Sequence, residues 1–191
     1  MTAVPDKLKP GLIRTHEIVL AVAASILMIL PLMITISNAV NSFMVQFQLY
    51  ALIQNVAAPI EARMLAVVLQ HVFGIPTAVS GSTLVMRGQT SFRVYISWIC
   101  VGWQGAALFV VTALVGLRGP YTLKSKLLVL FGGLEGTYLI NLLRETTVIL
   151  VNMYIGDLAA TVYHNYGGVL LLMTWLILFW YAAYTSVLKA K

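Results

Sequence analysis

The 191-residue chain is 60% hydrophobic and only 9% charged, a balance that excludes an ordinary soluble domain and places it among integral membrane proteins. Its formal net charge is +6, but the basic residues lie between apolar runs and not on one amphipathic face or among aromatics. That distribution argues for a positive-inside bias and against nucleic acid as a partner. The single cysteine excludes an intrachain disulfide and any Cys-x-x-Cys redox or zinc pair.

A basic stretch, KLKPGLIR at 7–14, precedes an apolar run from Glu17 to Ser37. About twenty such residues cross a hydrocarbon core of roughly 30 Å. Residues 1–16 are therefore expected to form a cytoplasmic tail, and 17–191 a single membrane-embedded domain. Ser37 and Ala39 mimic a signal-peptidase site. The apolar run is longer than a signal core, though, and reads as a retained anchor kinked by Pro31. Segments 42–59 and 61–73 are each too short or too polar for a plain span; they either recline in the interface or cross as a tight pair.

Residues 77–99 change character. In SFRVYISWI, Phe92, Val94, Ile96 and Trp98 alternate with Ser91, Arg93, Tyr95 and Ser97, the period of a half-buried strand. TAVSGSTLVM at 77–86, joined to it by RGQT, is the expected partner across a short turn. An open hairpin cannot lie bare in lipid, so this one belongs on the outer surface, leading into Cys100. Three crossings follow: Val101 to Leu117, Lys126 to about Val151, and His164 to Val187. Arg118, Lys124 and Lys126 separate the first two, and the chain ends in LKAK, which assigns that loop and both termini to the cytoplasm and Cys100 to the outside. The expected fold is an all-α polytopic membrane protein of the cytoplasmic membrane. It has four transmembrane helices, or six if 42–73 crosses, and a short extracytoplasmic β-hairpin before the cysteine.

Arg144 lies nineteen residues beyond Ser125, a rise of about 28 Å along a helix, which lifts it to the level expected of Cys100. His164 opens the last crossing on that same side. Taken singly, a terminal arginine snorkels, a terminal histidine is interfacial and a lone cysteine packs. Brought together they suit acyl transfer: Cys100 as nucleophile, His164 as general base and then acid, and Arg144 donating hydrogen bonds to an oxyanion. Asn141, on the same helix face, is placed to orient Arg144. Trp103 and Gln104, one turn past the cysteine, either line the pocket or pack at the interface. Glu145 is Arg144's partner or unpaired, and Glu135, among Gly132, Gly133 and Gly136, reads as a packing residue. His71 and His164 do not face each other in this topology, which argues against haem. The set calls for no metal and no cofactor.

Three motifs carry a resemblance: CVG at 100–102 opening a helix from outside, NLLR at 141–144 near the outer end of the next, and HNYGG at 164–168 at the mouth of the last. In order and spacing, over about residues 62–188, the chain resembles the exosortase/archaeosortase family of membrane-embedded cysteine peptidases and transpeptidases. The resemblance implies a Cys100, Arg144, His164 catalytic set, with Gly102 as part of the cysteine motif. It also implies exported substrates ending in a short motif, a transmembrane helix and a basic tail, and transfer of the new C-terminus through a thioester to a lipid acceptor. The chain departs from many members in having Val101 where a small hydroxyl residue is common, and in having fewer crossings than bacterial members. The rival expectation is a non-enzymatic bundle, a small transporter or assembly factor, in which Glu135 and Arg144 line a polar path.

Overall fold

A computed structural model describes residues 35, 38–39, 41–87 and 92–189. The basic tail, nearly all of the apolar run Glu17–Ser37 with Pro31, and the turn at 88–91 lie outside the described residues. The chain forms two compact units, Met1–Gln48 and Leu49–Lys191. In the first, residues 41–46 are helical, and Phe43 and Phe47 pack with ring centroids 4.5 Å apart.

The second unit is mostly helical. Helix α1 runs over Leu49–His71, 23 residues and about 35 Å, as one continuous apolar helix where the sequence suggested two short segments. Pro59 marks the apparent break, since proline lacks an N–H and its ring clashes with the carbonyl four residues earlier. The chain absorbs this in a π turn at Ile53–Ala57, where the Ala58 N–H reaches back to the Ile53 carbonyl.

The expected hairpin is a three-stranded antiparallel sheet of β1 (Thr77–Ser80), β2 (Thr83–Met86) and β3 (Phe92–Tyr95), in that order. The segment 77–86 is itself a hairpin, because Ser80 pairs with Thr83 across Gly81 and Ser82. Gly81 has φ +60°, which glycine adopts without steric cost at the first central position of a two-residue turn. The pairing of Met86 with Phe92 continues the sheet into β3. Leu84, Met86 and Ile96 bury one face against Ala62, Leu65 and Leu69 of α1 in a shared core.

Helix α2 covers Trp103–Gly116, only 14 residues and about 21 Å, shorter than the roughly 30 Å core that the sequence-based span Val101–Leu117 was expected to cross. It packs antiparallel to α3 (Leu123–Tyr154). A turn at Ile155–Gly156 then leads into α4, Asp157–Val187, which contains a second π turn at Tyr163–Gly167. Among the described residues three helices, α1, α3 and α4, are long and apolar enough to cross a membrane. Small residues let the helices approach: a Cβ on Gly133 would strike Phe109 and Phe179, and one on Gly136 would strike Trp175. Gly132 faces open space and Glu135 is exposed, so that carboxylate is not the packing residue expected from its glycine neighbours. Leu114, Phe131 and Ile177 are about two-thirds exposed, a surface that suits lipid better than water.

At the far end of the bundle the Thr122 N–H donates to the Lys189 carbonyl, and the Lys189 N–H to Ser125 Oγ. The basic loop and the end of α4 therefore share one side, as their charges suggested. Cys100 and Arg144 lie toward the opposite end, about 28 Å along α3 from Ser125.

Candidate active site

Cys100 lies in the turn that carries β3 into α2. Its N–H donates to the Ser97 carbonyl at 2.9 Å, and its Sγ is 3.4 Å from Ser97 Oγ. The turn is braced from α1: Gln54, in the π turn, accepts from the Trp98 N–H at 2.7 Å and donates to Ser82 Oγ and the Ile96 carbonyl. Gly102 then turns the chain into α2 with φ +76°, and a Cβ there would lie 2.5 Å from Asn141 Cγ. Both facts demand glycine at that position.

Asn141 is the hub. Its Nδ2 donates to the Cys100 carbonyl at 2.9 Å and to Glu61 Oε1 at 3.1 Å, while its Oδ1 accepts from Arg144 Nη1 at 3.2 Å. Arg144 Nη2 lies 3.0 Å from His164 Nε2 and 3.1 Å from Glu145 Oε1. Arginine is always a donor, so Nε2 of His164 is the acceptor; Nδ1 carries the proton and donates to Asn165 Oδ1 at 3.3 Å. A guanidinium has five N–H groups. The hydrogen bonds to Asn141 and His164 use one Nη1–H and one Nη2–H; the Glu145 contact is an ion pair, its Oε1 having no hydrogen-bond partner, so the buried, unpartnered Nε–H and one hydrogen on each Nη stay available. Gly168 makes room for them, since a Cβ there would meet Arg144 Cδ at 2.6 Å and Nε at 2.7 Å.

Cys100 Sγ, a Glu145 oxygen and a His164 ring nitrogen all lie within 4.8 Å of one another. Thiolate, carboxylate and imidazole could in principle hold zinc, but the Arg144 guanidinium already faces two of the three donors. Burial pushes the Cys100 thiol up, and the Glu145 carboxylate pushes it further; the Ser97 hydrogen bonds and Arg144 pull the other way without prevailing. The resting sulfur is thus a neutral thiol, hydrogen-bonded to Ser97 and near a histidine whose lone pair is turned to Arg144.

The structure brings Cys100, Gly102, Asn141, Arg144 and His164 together, and pairs Glu145 with Arg144. Trp103 stacks on Trp98 with centroids 6.0 Å apart and an interplanar angle of 14°; Gln104 is half-buried. Two surface hollows, lined by Asn38 to Gln46 and by Leu123 to Phe131, involve none of these residues. Sequence reasoning missed Glu61, Gln54 and Ser97. An acid inside the apolar stretch APIEARMLAVVLQ was a signal for the first; the other two carry none that a single sequence exposes. Comparison of the chain with protein-family models, curated sequences and solved structures finds no match.

Proposed function

We propose that the chain is a membrane-embedded cysteine transpeptidase or peptidase of the exosortase/archaeosortase type, acting outside the cytoplasmic membrane on exported proteins that end in a sorting motif, a transmembrane helix and a basic tail. One observation carries the reading. The three motifs are neighbours in space through the residues that define them: Gly102 abuts Asn141, Asn141 binds both the Cys100 carbonyl and Arg144, Arg144 meets His164, and Gly168 makes room for Arg144.

The substrate carbonyl oxygen draws Arg144 toward itself through the free Nε–H and Nη1–H, which releases the Nε2 lone pair of His164. The imidazole then accepts the thiol proton as Sγ attacks the carbonyl carbon. Arg144 holds the oxyanion of the tetrahedral intermediate. Collapse breaks the C–N bond, and the imidazolium returns its proton to the leaving amine. A hydroxyl or amine of a lipid headgroup, or water, then attacks the thioester as His164 takes its proton; the C–S bond breaks, and the imidazolium returns that proton to the departing Cys100 sulfur. Glu145 offsets the guanidinium charge in the resting site.

The test is co-expression with secreted proteins of the source genome that share such a C-terminal signal, followed by gel mobility and mass of the products. Wild type should remove the C-terminal helix, and Cys100→Ala should abolish removal while inserting normally. Cleavage that survives Cys100→Ala would leave the non-enzymatic bundle as the better description.

A further inference from the structure

Glu61 is 1% exposed on α1, and its Oε2 is buried without a hydrogen-bond partner among the described residues. An acid held this way costs stability, since an unpaired buried polar atom forfeits its hydration. Its Oε1 accepts from Asn141, eighty residues away in sequence, and the Tyr138 hydroxyl also bears on the carboxyl. Both Asn141 amide hydrogens are committed, one to Glu61 and one to the Cys100 carbonyl, and its oxygen faces Arg144. Turning the amide over would set its oxygen against two acceptors and its NH2 against a guanidinium donor.

We infer that Glu61 is a positioning residue of this site: by accepting the Asn141 amide hydrogen it fixes which way Asn141 faces, and through Asn141 it holds the thiol-bearing turn and the Arg144 guanidinium in register. The inference rests on the cysteine-transfer reading for its consequence in turnover, but not for its consequence at the thiol. Three elements meet in this contact. α1 supplies the carboxyl, α3 the amide, and the β3–α2 turn the carbonyl. Glu61→Met leaves the Asn141 N–H without its acceptor, a loss of about 1–3 kcal/mol whatever the role, so the distinguishing readout is the thiol, which a purely structural carboxyl would leave unmoved.

The experiment uses the full chain in detergent. Iodoacetamide alkylation of Cys100 is followed against pH in wild type, Glu61→Met, Asn141→Ala and the double variant, with helicity and thermal midpoint as folding controls. Glu61→Met should move the alkylation midpoint upward, as Asn141→Ala does, because the guanidinium that favours the thiolate is no longer held. The double variant should show no more than the Asn141→Ala shift. Glu61→Gln keeps an acceptor oxygen and should stay within about twofold of the wild-type rate, since the hydrogen bond is retained. Where Glu61→Met fails to insert, Glu61→Asp keeps the carboxyl but is a methylene short of Asn141, and supplies the same comparison. With a cleaved substrate in hand, kcat should fall about tenfold, the scale of one buried hydrogen bond, with KM unchanged. A wild-type alkylation profile in Glu61→Met, or shifts that add in the double variant, would overturn the inference. The expected alkylation pattern in a protein that cleaves nothing would retain the positioning role and reject the transferase.

Discussion

At Arg144 the arithmetic of donors decides what the side chain can do. Two hydrogen bonds, to Asn141 and His164, and an ion pair with Glu145 hold it, and three of its five N–H groups are left. Lysine keeps the charge but has no planar fork with which to hold three partners and still offer donors. Arg144→Lys is expected to lower turnover by about two orders of magnitude, the scale of a lost oxyanion donor, with membrane insertion unchanged; kcat on a cleaved substrate measures it. Glu145 works against the thiolate while steadying the arginine. Its side chain is only 4% exposed, so deleting it outright would leave a buried guanidinium short of a partner at a cost of about 3–5 kcal/mol. Glutamine keeps the shape and removes the charge. Because Glu145 raises the Cys100 thiol, Glu145→Gln should shift the pH midpoint of alkylation downward, toward the range of an ordinary thiol. A midpoint that stays put or rises would mean that the carboxylate does not act on the sulfur.

At the scale of elements, two of the three π turns among the described residues are next to the site and each carries a residue of it. The first follows from Pro59 and presents Gln54; the second, at Tyr163–Gly167, presents His164. Gln54 connects α1 to β2 and to the turn bearing the cysteine, a link that no periodicity within 42–59 reveals. Replacing it with alanine leaves the Trp98 N–H without its acceptor, a loss of about 1–3 kcal/mol confined to that turn. Gln54→Ala should therefore speed amide exchange over residues 97–100 while α3 keeps its protection, as hydrogen exchange with mass detection would register. Equal acceleration in α3 would mean that Gln54 supports the bundle as a whole. Of the expected elements, the sheet was legible from alternation in 91–99, yet its three strands were not, because a single Gly-Ser turn inside TAVSGSTLVM divides one apparent strand into two.

For the whole molecule, the hydrogen bonds of Lys189 with Thr122 and Ser125 tie the basic loop to the end of α4, and Cys100 is toward the other end of α3. A membrane-impermeant maleimide should label Cys100 on intact cells at mildly alkaline pH, slowly, because the thiol is half-buried and raised. A cysteine placed at exposed Lys189 in a Cys100→Ala background should react only after permeabilisation. The reverse pattern would invert the topology and leave the proposed transferase site on the cytoplasmic side. The shortness of α2 bears on depth. At about 21 Å it stops short of a full crossing, so its thiol-bearing end relies on α3 and α4 for its height in the bundle.

Composition alone pointed to helices long and apolar enough to cross a membrane, and the placement of basic residues put the 118–126 loop and the end of α4 on one side, where Lys189 bonds to Thr122 and Ser125. The rise of 1.5 Å per residue was enough to set Arg144 near the level of Cys100, because height along a helix is a local property. Rotation about the helix axis and the identity of lateral neighbours are not local. They follow from close packing of several elements at once, and so only the tertiary structure decided that Asn141 would join Cys100 to Arg144, that Glu135 would face outward, and that Glu61 and Gln54 would reach the site across eighty and forty-four residues.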